Sequence, residues 1–486
     1  MIPERILNWI NGEEVPAESG EWLEKYDPHT GDLQSHAARS REVDISAAVE
    51  AGKRAQPAWA DTPPVQRGLI LHRIVRLMQD YQQDIGDIVA AETGKGPTAG
   101  YGETGGAIQC GLFYASEGQR LYGKTTTSGV ENKYAMTVRM PVGVAGLIIA
   151  ANTPIANVAW KVFPALICGN AAVLKAAEDT PATAWMFGKI AKEAGLPNGV
   201  LNIVQGYGPE AGQPLVEHPD VDVISFTGST SVGKLVQRLA ADRLAKVSLE
   251  LGGKNPLVVC DDADLDNAAR WVLLSAFSNA GQRCAAGSRI IIFDSAYDEF
   301  VEMLIERSRQ LRMGNTDNDD LGPVINERQL ENMLEAVKIA KGEGARILYG
   351  GERATQPDLA SGYYMQPTLM DNVEPKAEIS CTELFGPIAI LYRVAGFDEA
   401  LALANDSPYG LTSCIHTRSI HRAMRFTEKV YTGVAVVNAA TYGSEPHMPF
   451  GGTRSSGNGF REPGTEALDV YSELKDIYIN TLPEHL

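Results

Sequence analysis

Residues 143–204 read GVAGLIIAANTPIANVAWKVFPALICGNAAVLKAAEDTPATAWMFGKIAKEAGLPNGVLNIV. Val144–Ala150 is a short apolar run of strand type, and Asn157–Cys168 then reads as a buried helix. Ala172–Lys175 is a second apolar run. Pro181–Gly195 is helical and closes on a glycine, and Val200–Val204 is a third run. Strands alternating with helices predict a mostly parallel, doubly wound sheet.

The pattern extends in both directions. Val221–Phe226 is strand-like and Ser231–Asp242 helical. A second series follows Gly252: strand Pro256–Val259, helix Leu265–Gly281, strand Ile290–Phe293 and helix Tyr297–Arg312. Gly314–Ile325 is polar and is expected as an exposed loop. Leu384–Val394, Ala400–Asn405, Thr412–His416, His421–Val430 and Val434–Asn438 continue the alternation. The chain is therefore expected to be α/β, with two doubly wound domains divided near Gly252–Gly253. Residues before about 120 are expected to be mostly amphipathic helix, for example Arg67–Asp87. Tyr122–Met140, rich in Thr, Ser, Tyr and Val, is expected as a small β excursion. Two strands alone are marginally stable, so it is expected to pair with another element, if it is not simply an exposed hairpin.

Composition narrows the function. At 486 residues the chain exceeds one simple core. Its formal charge of -18 includes no basic stripe, which argues against a nucleic-acid partner. The six cysteines form no C-x-x-C pair, so neither a zinc knuckle nor a disulfide framework is expected, and a reducing, cytoplasmic location fits. The eight histidines include no H-E-x-x-H, and no catalytic metal is expected. No apolar stretch is long enough for a membrane span. The N-terminal MIPERILNWINGEE carries acids and reads as no signal peptide.

Val221–Phe226 runs into TGSTSVGK, where Gly228 and Gly233 bracket Ser229 and its neighbours ahead of a helix. Backbone N–H groups at a helix start attract phosphate. The stretch also begins like a Walker A loop, but Leu235 stands where a magnesium-binding Ser or Thr belongs. A dinucleotide site is therefore favoured over an NTPase. Lys175 and Glu178 sit after a strand, where open α/β sheets bind ligands, and are placed to grip ribose hydroxyls. A solvated ion pair is the alternative.

Cys284 ends the run NAGQRC, in polar company. Arg283 and oriented amides would raise its thiolate fraction. Glu250 precedes two glycines that leave room for close approach. Asn152 follows a strand and is placed to donate to an oxyanion. Taken singly, these residues are equally a buried thiol, a sheet-edge ion pair and a turn cap.

Five segments decide among these readings: FTGSTSVG (226–233), LELGGKNP (249–256), GQRCAAGSR (281–289), ELFGPI (383–388) and PFGGTRSSGNG (449–459). In this order they resemble the aldehyde dehydrogenase superfamily, and the resemblance runs from INGEEV (10–15) to about residue 475. Cys284 lies 34 positions after Glu250, as the family's motif requires. The resemblance implies that Cys284 attacks an aldehyde, that Asn152 and the Cys284 N–H hold the oxyanion, and that Glu250 activates water on the thioester. It implies cofactor contacts from Lys175, Glu178, Gly228, Ser229, Gly233, Glu383 and Phe385, and proton relay through Lys161 and Glu462. A carboxylate at Glu178 favours NAD over NADP. The implied division is residues 1–120 with 141–252 for NAD binding, 253–454 for catalysis, and 121–140 with 470–486 for assembly into a homodimer or homotetramer. A CoA-acylating enzyme is disfavoured because Glu250 is present. A catalytically inactive binding protein is disfavoured because the whole set is present.

The chain departs from the family's common pattern at Ala151-Asn152-Thr153. Thr153, Ala156, Ala285 and Ala440 imply a roomier, less aromatic channel than in enzymes of long apolar aldehydes. Trp160 stands where succinate-semialdehyde enzymes place an Arg. Arg283 and Tyr442 are candidates to meet a polar or anionic end of a short semialdehyde, and the C-terminal run is similar to 2-oxoglutarate semialdehyde dehydrogenases.

Overall fold

The computed structural model describes residues 2–482. Its first sheet has seven strands, in the order Lys246–Glu250, Val223–Thr227, Val144–Ile148, Ala171–Lys175, Leu201–Val204, Asn8–Ile10 and Glu13–Val15. The first five are parallel. The last two form an antiparallel hairpin on the edge. Val144–Ile148, Ala171–Lys175 and Leu201–Val204 are buried at every position. Both of their faces are covered, which is why they read as unbroken apolar runs rather than alternating ones. Leu147, Leu174 and Ile203 pack on one side with helices Pro154–Ile167 and Pro181–Glu193. Ile148, Val173 and Val204 pack on the other side with helix Glu42–Asp61.

The chain leaves Val144–Ile148 in one direction and later returns to its other side at Val223–Thr227. That reversal opens a crevice at the carboxyl ends of the strands. Asn152, Lys175, Gly228 and Glu250 all stand at or just beyond those ends.

The second sheet also has seven strands, in the order Arg346–Tyr349, Thr368–Asp371, Ile388–Val394, Gly287–Phe293, Asn255–Val259, Thr412–His416 and Val434–Val437. Only its first pair is antiparallel. Cys284 lies just before the amino end of Gly287–Phe293. A third sheet joins Ser472–Asn480, Lys133–Pro141 and Thr125–Thr126, so the Tyr122–Met140 excursion pairs with the C-terminal strand.

The structure differs from the sequence reading in several places. The loop expected to be exposed over Gly314–Ile325 is exposed only in its first part; Leu321 and Pro323–Ile325 are buried against the protein. Five short strands, from Arg5–Ile6 to Leu33–Ala38, precede the N-terminal helices. Asn11 and Gly12 take φ of 54° and 78° there, the turn an Asn-Gly pair favours in a hairpin. The helix expected over Arg67–Asp87 is two helices, Pro64–Asp80 and Gln82–Thr93, broken at Tyr81. The helix expected over Leu265–Gly281 ends at Phe277, because Asn279 and Ala280 are left-handed, at φ 54° and 51°.

Candidate active site

That left-handed kink presents Cys284. Gly281, at φ 67°, lies against the Gly386 carbonyl, where any Cβ would collide. Gln282 then anchors the loop. Its Nε2 donates to the Asn279 and Pro323 carbonyls at 3.2 Å each, and its Oε1 accepts from the Ile325 N–H at 2.9 Å. Asn255 holds the other end by donating to the carbonyls of Cys284 (2.8 Å) and Ala286 (2.9 Å). The half-buried Cys284 thiol is pushed up to about 12, first by burial and then by the Glu383 and Glu250 charges. The Ala285 N–H and Arg283 pull it the other way, as the sequence suggests, but are outweighed.

Glu250 ends its strand with only 5% exposure. Neither carboxylate oxygen has a hydrogen-bond partner among the described residues. Burial, then the Glu462 charge, raise this carboxyl well above the ordinary range, against the pull of Lys161 and Arg461. Gly451 permits this placement, since a Cβ there would stand 2.6 Å from Glu250 Oε1.

Behind Glu250, Lys161 Nζ donates to Glu462 Oε2 at 2.9 Å and to Ser225 Oγ at 2.6 Å. Ser225 donates onward to Glu462 Oε1 at 2.6 Å. The Lys161 and Glu462 side chains are each 1% exposed. The pair implied by the sequence is therefore a buried ion pair closed by a serine that sequence reading missed.

Asn152 Nδ2 donates to the Gln282 carbonyl at 3.0 Å, which ties the strand end to the Cys284 loop. Cys284, Asn152, Thr153, Ala156, Ala285, Trp160, Tyr442 and Phe450 line one cavity of about 780 Å³. Three rings remain in it, and Trp160 and Phe450 pack at 5.5 Å, so the channel is roomy but not free of aromatics. Ala440 is buried and is not among the lining residues. Arg283 lies over the Tyr442 ring at 4.6 Å, and its buried Nε has no partner among the described residues.

Lys175, Glu178, Gly228, Ser229 and Gly233 lie along the first sheet's crevice, and Glu383 and Phe385 on the loop before the second-sheet strand Ile388–Val394. Lys175 Nζ donates to Glu178 at 2.8 Å. Burial pushes the Glu178 carboxyl up, but the Lys175 charge and hydrogen bond overcome this and hold it below its ordinary value. Ser229 caps helix Thr230–Ala241, its Oγ accepting from the Val232 N–H at 3.4 Å. A Cβ at Gly228 would meet the Phe226 ring at 2.5 Å, and one at Gly233 would meet Leu251 at 2.5 Å. Glu383 accepts from the Gly253 N–H at 3.0 Å, and burial pushes its carboxyl up to about 7. Phe385, at φ 56°, is left-handed. Among the described residues, no three His, Cys, Asp or Glu side chains gather to hold a metal, and no helix is long and apolar enough to cross a membrane.

A sheet of dinucleotide-binding topology, opening toward a thiol with an unpaired carboxyl beside it, defines a pyridine-nucleotide-linked oxidoreductase. The pattern of the aldehyde dehydrogenase family matches residues 15–477. The alpha-ketoglutaric semialdehyde dehydrogenase of Bacillus subtilis (strain 168) is 37% identical over 97% of this chain and 98% of its own. A crystal structure of betaine aldehyde dehydrogenase from Staphylococcus aureus with NAD+ superposes with a TM-score of 0.96 at 31% identity, covering 99% of this chain and 95% of that one. An E. coli enzyme described as NADP dependent superposes at 0.94 with 34% identity, covering 98% of each chain. The chain belongs to the aldehyde dehydrogenase family, and it is an NAD(P)-dependent enzyme that oxidises aldehydes.

Proposed function

We propose that the enzyme oxidises a short semialdehyde with an anionic far end to the carboxylic acid, using NAD and water. The observation that carries the substrate reading is Arg283: a guanidinium on the cavity wall beside Cys284, its Nε buried and unpaired among the described residues. Trp160 and Tyr442 line the same cavity, and Tyr442, against the Arg283 guanidinium, would meet the polar end of the substrate with it. The relative named for alpha-ketoglutaric semialdehyde supports the same class.

In this reading the Cys284 thiol loses its proton to solvent water in the cavity as its sulfur attacks the aldehyde carbon, and the thiohemiacetal oxygen is held by Asn152 Nδ2 and the Cys284 N–H. Once the carbon is oxidised, Glu250 takes a proton from water attacking the thioester. The Glu462 carboxylate, oriented by Lys161 and Ser225, accepts that proton and passes it on. Glu250 also favours water over CoA as the acyl acceptor.

The crevice fits a dinucleotide. The capped start of helix Thr230–Ala241, with Gly228, Ser229 and Gly233, suits a pyrophosphate. Lys175 and Glu178 suit the adenosine ribose, while Glu383 and Phe385 suit the nicotinamide end. NAD, when bound, supplies the hydride acceptor. The Glu178 carboxylate hydrogen-bonds a 2′-hydroxyl and repels a 2′-phosphate, favouring NAD over NADP.

The two large sheets support assigning residues 1–120 with 141–252 to the cofactor domain and 253–454 to the catalytic domain. The third sheet supports 121–140 with 470–486 as a segment joining two copies; Met1 and residues 483–486 lie outside the described residues. A cytoplasmic homodimer or homotetramer is the assembly proposed.

The substrate test is Arg283→Met. A charge-assisted hydrogen bond is worth about 1.5–3 kcal/mol, so KM for a dicarboxylic semialdehyde should rise on the order of ten- to a hundredfold. KM for propanal should hold. Equal effects on both aldehydes would rule out the anionic anchor.

A further inference from the structure

Lys95 stands in the turn Gly94-Lys95-Gly96, between helices Gln82–Thr93 and Pro97–Glu117. Its side chain is only 7% exposed, and it lines the same cavity as Cys284. It pairs with Glu103, which is also 7% exposed. Neither charge is spent on the pair alone. Lys95 Nζ donates to the Asn152 carbonyl at 2.8 Å. Glu103 Oε1 accepts from the Ile155 N–H at 3.1 Å and the Ala156 N–H at 3.4 Å. One buried pair thus grips both ends of the turn from Asn152 into helix Pro154–Ile167.

Two charges taken out of water cost several kcal/mol each, and an ion pair recovers that only with further hydrogen bonds. Here those further bonds fall on the segment that aims Asn152. The carbonyl of Asn152 accepts from Lys95 at 2.8 Å and more weakly from Asn279 Nδ2 at 3.4 Å, and its side-chain amide donates to the Gln282 carbonyl. With both fixed, the amide cannot swing away from the thiol as an oxyanion forms. Preorganised donors stabilise developing charge only if they need no reorientation.

We propose that Lys95 and Glu103 are positioning residues that hold Asn152 as an oxyanion donor. The proposal rests on the reading of Asn152 given above. It differs from a substrate-anchoring role for Lys95, which would act on KM.

The test is a cycle of four enzymes: wild type, Asn152→Ala, Lys95→Met with Glu103→Gln, and all three changes together. Removing both charges avoids leaving one buried alone. NAD binding by each enzyme checks that the fold is intact, and single-turnover NADH formation at saturating aldehyde is the readout. Asn152→Ala should lose roughly a hundredfold. The neutral pair should lose roughly tenfold in the wild-type background, because small misplacement of a catalytic group is costly. It should lose no more than about twofold beyond Asn152→Ala, since the two changes act through one group. Equal losses in both backgrounds, or an effect confined to KM, would overturn the positioning role. An Asn152→Ala enzyme as fast as wild type would overturn the oxyanion reading itself.

Discussion

Replacing Glu250 with Gln keeps the outline of the side chain and removes its charge. Glu250 is buried, with both oxygens unpaired among the described residues. The nearby Glu462 is bonded to Lys161 and Ser225 and so is not free to replace it. A positioned general base contributes about 10²–10⁴ in rate, so steady-state turnover should fall by that factor. Attack by Cys284 and hydride transfer precede this step. Rapid mixing with NAD and aldehyde should therefore give a burst of about one NADH per site, followed by a slow phase. Full steady-state turnover by Glu250→Gln would show that Glu250 is not the base. The same substitution has a thermodynamic signature. Burial raises the Glu250 carboxyl well above 4.5, so the folded state holds this proton more tightly than the unfolded chain. Stability from Glu250 is then fully present at acid pH and is lost as pH rises above the unfolded value toward the folded one. The variant's Tm should match wild type near about pH 5 and exceed it at about pH 8. A variant less stable at both pH values would contradict the burial argument.

Three further outcomes follow from the same geometry. Because the Cys284 thiol is pushed up to about 12, alkylation of the cofactor-free enzyme by iodoacetamide should climb with pH through the alkaline range; a plateau near neutrality would show a thiolate at rest. At a separation of about 4 Å, like charges cost about 1 kcal/mol in water-like surroundings, so Glu178→Ala should narrow the NAD-to-NADP ratio of kcat/KM by about fivefold. An unchanged ratio would remove Glu178 from cofactor choice. Leu474 and Tyr478 are 62% and 61% exposed on the C-terminal strand, and changing both to Glu should lower the mass seen by light scattering if that strand joins two copies. An unchanged oligomeric mass would place the interface elsewhere.

How much of this was legible follows from how far apart the determinants lie. Four of the five parallel strands of the first sheet announce themselves because both faces are covered, which leaves local apolar runs such as Ala171–Lys175; the fifth, the edge strand Lys246–Glu250, interleaves Lys, Ser and Glu and does not read as such a run. The N-terminal strands were missed because they are two to six residues long and lie outside that parallel core, although Asn11-Gly12 carried a hairpin signal. Cys284, Glu250 and Asn152 stand out as candidates because their types and order form a pattern along the chain. What supports them was not found. Asn255 sits inside a quoted motif, yet its grip on two carbonyls of the Cys284 loop spans 29 and 31 positions. Lys95 reaches Asn152 across 57 positions, and Ser225 reaches Glu462 across 237.

The Cys284 thiol shows why such links matter for chemistry as well as for geometry. Along the chain its neighbour is Arg283, which favours the thiolate. In the fold burial outweighs it, with the Glu383 and Glu250 carboxyls acting in the same direction. A resting thiol held neutral chiefly by burial is guarded against adventitious oxidation and alkylation, since the thiolate is the reactive form. Burial pushes the Glu383 carboxyl itself up to about 7. Glu383→Gln should therefore bring the alkylation profile of Cys284 only part of the way down in pH, because burial, the larger cause, remains; a return to the ordinary thiol range would make the carboxyl the dominant cause.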